Sequence, residues 1–267
     1  MKKILLLTLV FFLTFSITRL IAYPKNSGFN LDDTLIPSDQ IHSGGPGKDG
    51  IPSIDKPQFM SADKSNLQAG DRVLGLTYQG ISKAYPIKIM NWHEIVNDEF
   101  NGHPVAVTFC PLCGSGIAYS SSIDGKKHTF GVSGLLYNSD VLLYDRETES
   151  LWSQLMNQSV SGALKGQKLT PIPLTHTTWE DWKTRHLATL VLSENTGFSR
   201  NYADNPYQDY KLDRNLWFPV TKTDQRYHPK ELVLGIEING QSKVYPFAEL
   251  AKMPLKFQDD IAGELFT

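Results

Sequence analysis

One phrase occurs twice in this chain. Asp71-Arg-Val-Leu-Gly-Leu-Thr-Tyr-Gln-Gly-Ile-Ser-Lys-Ala-Tyr-Pro86 returns as Glu231-Leu-Val-Leu-Gly-Ile-Glu-Ile-Asn-Gly-Gln-Ser-Lys-Val-Tyr-Pro246. The first copy reads as a strand, a tight Gln-Gly turn and a second strand. The likeness extends further: Gln258-Asp-Asp-Ile-Ala-Gly263 resembles Asn97-Asp-Glu-Phe-Asn-Gly102. Two copies, over 71–102 and 231–263, are an internal duplication and not a solenoid. The second copy stops where the first leads into a pair of cysteines. It also carries Lys252-Met253 where the first has Trp92-His93. One copy therefore bears the chemistry and the other only architecture.

The fold class this predicts is α+β and β-rich, with antiparallel sheets and a few short helices. A helical pattern follows the first phrase (Ile87, Ile89, Met90, His93, Ile95, Val96) and is ended by Asn97-Asp98 and Asn101-Gly102. Asp124-Gly125 is a hairpin signal between Ile117–Ser120 and Thr129–Val132. Further alternating runs are Val141–Tyr144, Leu151-Trp152 and Leu187–Leu192. Thr177-Thr-Trp-Glu-Asp-Trp-Lys183 reads as a short helix capped by Thr178. Asn195–Leu216, rich in Asn, Asp and Tyr, reads as a long surface loop.

The domain plan has three parts. Residues 1–22 are a secretory signal or N-terminal anchor: Met1-Lys-Lys3 is basic, Ile4–Phe15 is apolar apart from Thr8 and Thr14, and the run is short for a membrane span. Either form puts the body outside the cytoplasm, as a periplasmic or secreted protein, where a close thiol pair can oxidise. Residues 23–66, with five prolines and Gly44-Gly45, form an extended arm that is either mobile or wrapped on the body. Residues 67–267 form a single globular domain with two repeat halves. The net charge of −2 gives no electrostatic case for nucleic acid, and the membrane is a partner only through the N-terminal anchor.

The only two cysteines are Cys110 and Cys113, in Val-Ala-Val-Thr-Phe-Cys-Pro-Leu-Cys-Gly-Ser-Gly (105–116). A β-rich run delivers them to a turn, and Gly114 and Gly116 follow at once, so the thiols sit on a loop at a strand end. Cys-Pro-Leu-Cys-Gly looks like the knuckle of rubredoxins and zinc ribbons. A tetrahedral thiolate site needs four ligands and there is no second knuckle. A metal here takes histidine, carboxylate, methionine or water beside the thiols, or binds in a low-coordinate mode. His93, on the preceding helix, is the expected third ligand, and two thiolates with one imidazole suit Cu(I) or Zn(II). Glu94, one residue on, would point about 100° away from His93 on a helix. The Tyr137–Asp140 and Asp145-Arg146-Glu147 segments are candidates for hydrogen bonds or a carboxylate near the site, against plain turn chemistry and a solvated salt bridge. His103 and His128 rank below His93, and Trp152 is most simply core.

At this point the chain resembles a known family. Gly-Pro-Gly-Lys-Asp-Gly-Ile-Pro (45–52), Lys-Ala-Tyr-Pro (83–86), Trp-His-Glu-Ile-Val-Asn-Asp (92–98), Thr-Phe-Cys-Pro-Leu-Cys-Gly (108–114), Gly-Val-Ser-Gly-Leu-Leu-Tyr-Asn-Ser-Asp (131–140) and Tyr-Asp-Arg-Glu-Thr-Glu-Ser-Leu-Trp-Ser-Gln (144–154) are similar to the bacterial and archaeal family called domain of unknown function 3179. The resemblance implies an exported or membrane-tethered protein. It groups His93, Cys110, Cys113, Tyr137, Asp140 and Trp152 as one site and assigns no reaction.

Three functions stay open. The first is an extracytoplasmic protein binding copper or zinc through Cys110, Cys113 and His93, with Glu94, Tyr137, Asp140 and Trp152 around them. The second is a thiol enzyme, working by disulfide exchange or by a cysteine nucleophile with His93 as base. The third is a binding or scaffold module with a structural disulfide. The partner in each case is an unknown small molecule, a metal ion or an exported protein.

Overall fold

The computed structural model describes residues 28–267; the expected signal segment lies outside them. The chain is β-rich, as its alternating runs predicted, with four short helices among the described residues. None of them is long and apolar enough to cross a membrane. Three sheets are stacked. The middle one has the order Thr170–Ile172, Ser115–Ser120, His103–Cys110, Ile95–Phe100, all antiparallel.

Alternation along His103–Cys110 explains the stacking. Successive side chains of a strand point to opposite faces. Val105, Val107 and Phe109 join one buried cluster with Leu74, Leu76 and Tyr85. Ala106 and Cys110 join another with Phe130, Val141, Leu143 and Trp152. The first cluster lies against a five-stranded sheet ordered Thr175–Thr178, Arg72–Tyr78, Ile81–Pro86, Leu190–Leu192, Phe59–Ser61, with one parallel pairing between Leu190–Leu192 and Ile81–Pro86. The second lies against a sheet ordered Ile41–Ser43, Phe130–Tyr137, Asp140–Asp145, Leu151–Ser153, Gln158–Ser161. Thus the sheet that ends in the thiols is covered on both faces.

The first phrase forms the predicted pair, with Gln79 and Gly80 at positive φ in its turn. Gly75 has to be glycine, because a Cβ there would lie 2.2 Å from the Trp182 ring. That ring belongs to the helix Trp179–Arg185, whose Thr178 hydroxyl accepts from the Asp181 N–H. The second phrase repeats the local pairing: Val233 faces Pro246 as Val73 faces Pro86. It forms only a two-stranded ladder, however, and Val233 is 44% exposed where Val73 is 1%. A buried set, Lys83 Nζ on both Asp98 oxygens at 2.8 Å and Tyr85 Oη on Asp98 at 2.5 Å, has a likeness in Lys243, Tyr245 and Asp259, whose lysine is exposed.

Some local expectations are corrected. The Asp124-Gly125 turn joins only Ser122–Ile123 to Lys126–Lys127; the longer flanking strands go to different sheets. The helix after the first phrase is Ile87–His93, ended by Glu94 in the left-handed region (φ 57°), and Ile95 and Val96 already belong to a strand. Asn101-Gly102 is the turn of the next hairpin. From residue 28 on, the arm lies along the body, supplying Ile41–Ser43 and Phe59–Ser61 as edge strands and setting Ile54 beside Val96. The polar 195–216 segment is not wholly a surface loop: Tyr202 and Tyr210 are buried and Gln208–Leu212 is helical.

Candidate functional site

Two hairpin turns from different sheets meet at the site. In the middle sheet, Cys110 pairs with Ser115 across the turn Pro111-Leu112-Cys113-Gly114. Gly114 donates its N–H to the Cys110 carbonyl at 2.8 Å and sits at φ +66°, a conformation open to glycine. In the neighbouring sheet, Tyr137 pairs with Asp140 across Asn138 and Ser139, both at positive φ. The Cys110 thiol donates to the Ser139 carbonyl at 3.6 Å, and the Cys113 thiol to Asp140 Oδ1 at 3.3 Å. Both cysteines are free thiols. The two sulfurs and an Asp140 oxygen lie within 4.8 Å of one another.

Glu94 faces the same place. Its left-handed backbone breaks the helical direction, and its carbonyl accepts from Phe109 N–H at 2.7 Å, which ties it to the thiol-bearing strand. Tyr207, from the 195–216 segment, donates its hydroxyl to Glu94 Oε1 at 3.3 Å. Burial pushes the Glu94 carboxyl up to about 8, opposed by the Tyr207 hydrogen bond and aided by the Asp140 charge. Burial likewise raises Asp140 to about 6, against hydrogen bonds from the Leu155 N–H, the Cys113 thiol, the Val141 N–H and the Cys110 thiol. Cys110 is driven well up, by burial first and then by Cys113, Asp140 and Glu94. Among the described residues, no cation stands among the leading influences on these three buried acids.

His93 is placed elsewhere. Its ring bonds the Pro52 carbonyl through Nδ1 and the Tyr202 hydroxyl through Nε2, both at 2.7 Å, and Tyr202 in turn meets Thr196 at 2.6 Å. The ring is fully buried, and its pKa is lowered by that burial. Both nitrogens are thus committed, and the residue clips the arm and the 195–216 segment to the helix. It is in neither of the ligand groups found among the described residues. Tyr137 turns to the far face of its sheet, packed against the cluster of Ile41, Leu135 and Leu142. Trp152 is core and donates its indole N–H to Asp145 at 2.9 Å.

The second ligand group, His128, Asp145 and Glu147, is taken up by structure. Asp145 accepts from Thr148 and Trp152 as well as meeting His128, and Glu147 accepts from Thr129. Arg146 reaches Asp55 and Ser53. His103 is exposed, edge-on to Tyr78.

Two hollows lie at the thiol turn and share Leu112 and Tyr207 in their walls. One, of about 270 Å³, is apolar apart from Glu94 and Tyr207. The other is a groove of about 970 Å³ onto which Cys113 opens. Sequence reasoning did not find Tyr207, and no local signal marks it; the Ser139 carbonyl lies in the Tyr137–Asp140 segment expected to supply hydrogen bonds near the site.

A family model described as protein of unknown function (DUF3179) matches residues 48–265. No curated protein and no solved structure matches the chain.

Proposed function

Because the chain belongs to the DUF3179 family, whose description assigns no activity, its role has to be argued from the site, and we propose that Cys110, Cys113 and Asp140 hold one soft metal ion, Zn(II) or Cu(I), in a protein working outside the cytoplasm. The observation that carries the reading is the cluster of ligand atoms within 4.8 Å. Thiolate, thiolate and carboxylate is a donor set that zinc accepts, and the two thiolates alone suit Cu(I). The electrostatics support it too. Burial makes ionisation of Cys110, Asp140 and Glu94 costly, and a bound cation reverses that cost. Glu94, whose charge acts on Cys110 and whose carboxyl is held by Tyr207, would supply a group able to take or give a proton beside a bound ion.

The test is elemental analysis after anaerobic reconstitution with Zn(II) or Cu(I). Wild type is expected to retain about one ion per chain and to release protons on binding. Cys110→Ser/Cys113→Ser is expected to retain none, and Asp140→Asn to weaken retention by about 10–100-fold. Retention that does not depend on the thiols ends the reading.

Thiol catalysis is the second reading, favoured by one observation: Cys113, unlike Cys110, lines the large groove. In that reading His93 is not the base, since its nitrogens are committed to Pro52 and Tyr202. Thiol reactivity measured against pH separates the two. A metal site predicts slow alkylation of Cys110 in the metal-free protein near neutral pH, because that buried thiol is pushed up, and protection of Cys113 only once the metal is added.

A further inference from the structure

The groove above Cys113 is charged out of proportion to the chain. The whole protein carries −2, yet the groove is lined by Arg72, Lys211, Arg214, Lys222, Arg226 and Lys230 against two acids, Asp224 and Glu231. Arg226 is paired with Asp224, and Lys230 is spent on the carbonyls of Tyr210, Asp213 and Asn215. Arg72, Lys211, Arg214 and Lys222 form no ion pair with a described carboxylate, although ion pairs are frequent elsewhere on the molecule. Tyr207, Tyr210 and Cys113 line the same groove as these cations.

We infer that this groove binds a small polyanion, a di- or tricarboxylate or a polyphosphate. A concave wall of one sign concentrates ligands of the opposite sign and repels its own. That has a consequence for the metal-site reading, on which this part rests. A bare divalent cation is disfavoured on the way to Cys113, whereas an anionic complex of the same metal is drawn in. The polyanion is then the ligand that brings the metal, and Cys113, which lines the groove, is the first thiol it meets. No bond to carbon is made or broken and no oxidation state changes: the two thiols give their protons to the departing polyanion or to water, and metal–sulfur bonds replace the bonds from the metal to the polyanion oxygens.

The experiment titrates metal-free wild type and an Arg214→Glu/Lys222→Glu variant with citrate, and in a separate arm with pyrophosphate, by calorimetry at about 20 mM ionic strength, where screening is weak. Both positions are exposed, so the variant is expected to keep the fold, which an unchanged urea midpoint checks. Wild type is expected to bind one or both probes. The variant is expected to bind at least roughly tenfold more weakly, and wild-type binding to fall as salt is added. The arm that binds tells carboxylate from phosphate. No binding to wild type, or equal binding to both proteins, overturns the inference. Zinc retention measured on the same samples keeps the two readings apart. Thiol-dependent zinc without anion binding sinks the groove and spares the metal site, and anion binding without zinc upholds the groove and sinks the metal site.

Discussion

Replacing Glu94 by Gln removes one titration and little else. The amide matches the neutral carboxyl in size and can still meet the Tyr207 hydroxyl, which lies 3.3 Å from Oε1. Glu94 is held at about 8 in the folded protein against an ordinary 4.5. A carboxyl raised in this way contributes stability that is fully present below the unfolded value and lost as pH rises through the folded one. At about 1.4 kcal/mol per pH unit across that span, the whole loss is about 5 kcal/mol, an upper bound because the folded state relaxes around a buried charge. Urea unfolding of metal-free protein, kept reduced, measures it. At pH 5 wild type and Glu94→Gln are expected to agree within about 1 kcal/mol. At pH 9 the variant is expected to be the more stable by about 3–5 kcal/mol, with the gap opening between pH 5 and 8. Asp140, raised to about 6, titrates below the range in which Glu94 does, so the gap that opens above pH 6 belongs chiefly to Glu94. Parallel curves from pH 5 to 9 would refute the placement of Glu94 in a buried acidic cluster.

Two further outcomes follow from the packing. Lys83→Met strands the buried Asp98 carboxylate, which Lys83 meets through both oxygens between the rings of Phe59 and Phe100. It is expected to cost about 3–5 kcal/mol, while Lys243→Met at the exposed lysine of the likeness costs less than about 1 kcal/mol; equal losses in urea unfolding would contradict this. His93→Phe cuts the ties to Pro52 and Tyr202 at about 1–3 kcal/mol, and limited proteolysis is expected to cut the 195–207 stretch faster while zinc retention stays. Loss of zinc from a folded His93→Phe protein would return the histidine to the metal.

The strands were legible because apolar and polar residues alternate in them, and the thiol turn because proline and two glycines mark it. The relation of His93 and Glu94 to the thiols was not. On a continuous helix the two side chains diverge by about 100°, and the preceding imidazole looked the better placed. The helix ends at Glu94 itself, and a single left-handed residue, with nothing in its side chain to announce it, swings the carboxyl to the thiols. His93 is meanwhile claimed by Pro52 and Tyr202, distant in sequence on either side, which no local pattern connects to it. Polarity made residues 195–216 look superficial; Tyr202 ties that stretch to His93, Tyr207 ties it to Glu94, and Tyr210 is buried. Asp140 reaches the sulfurs through the meeting of two turns, a tertiary event that spacing along the chain does not encode.

That meeting of turns also sets an order of events during synthesis. The cysteines leave the ribosome well before Asp140, and Asp140 well before Tyr207, so the nascent chain carries two bare sulfurs through every early stage. Asp140 and Tyr207, which close the site in the finished molecule, arrive after the cysteines, which leaves the newborn protein more open than the mature one to oxidation and to capture of the wrong ion.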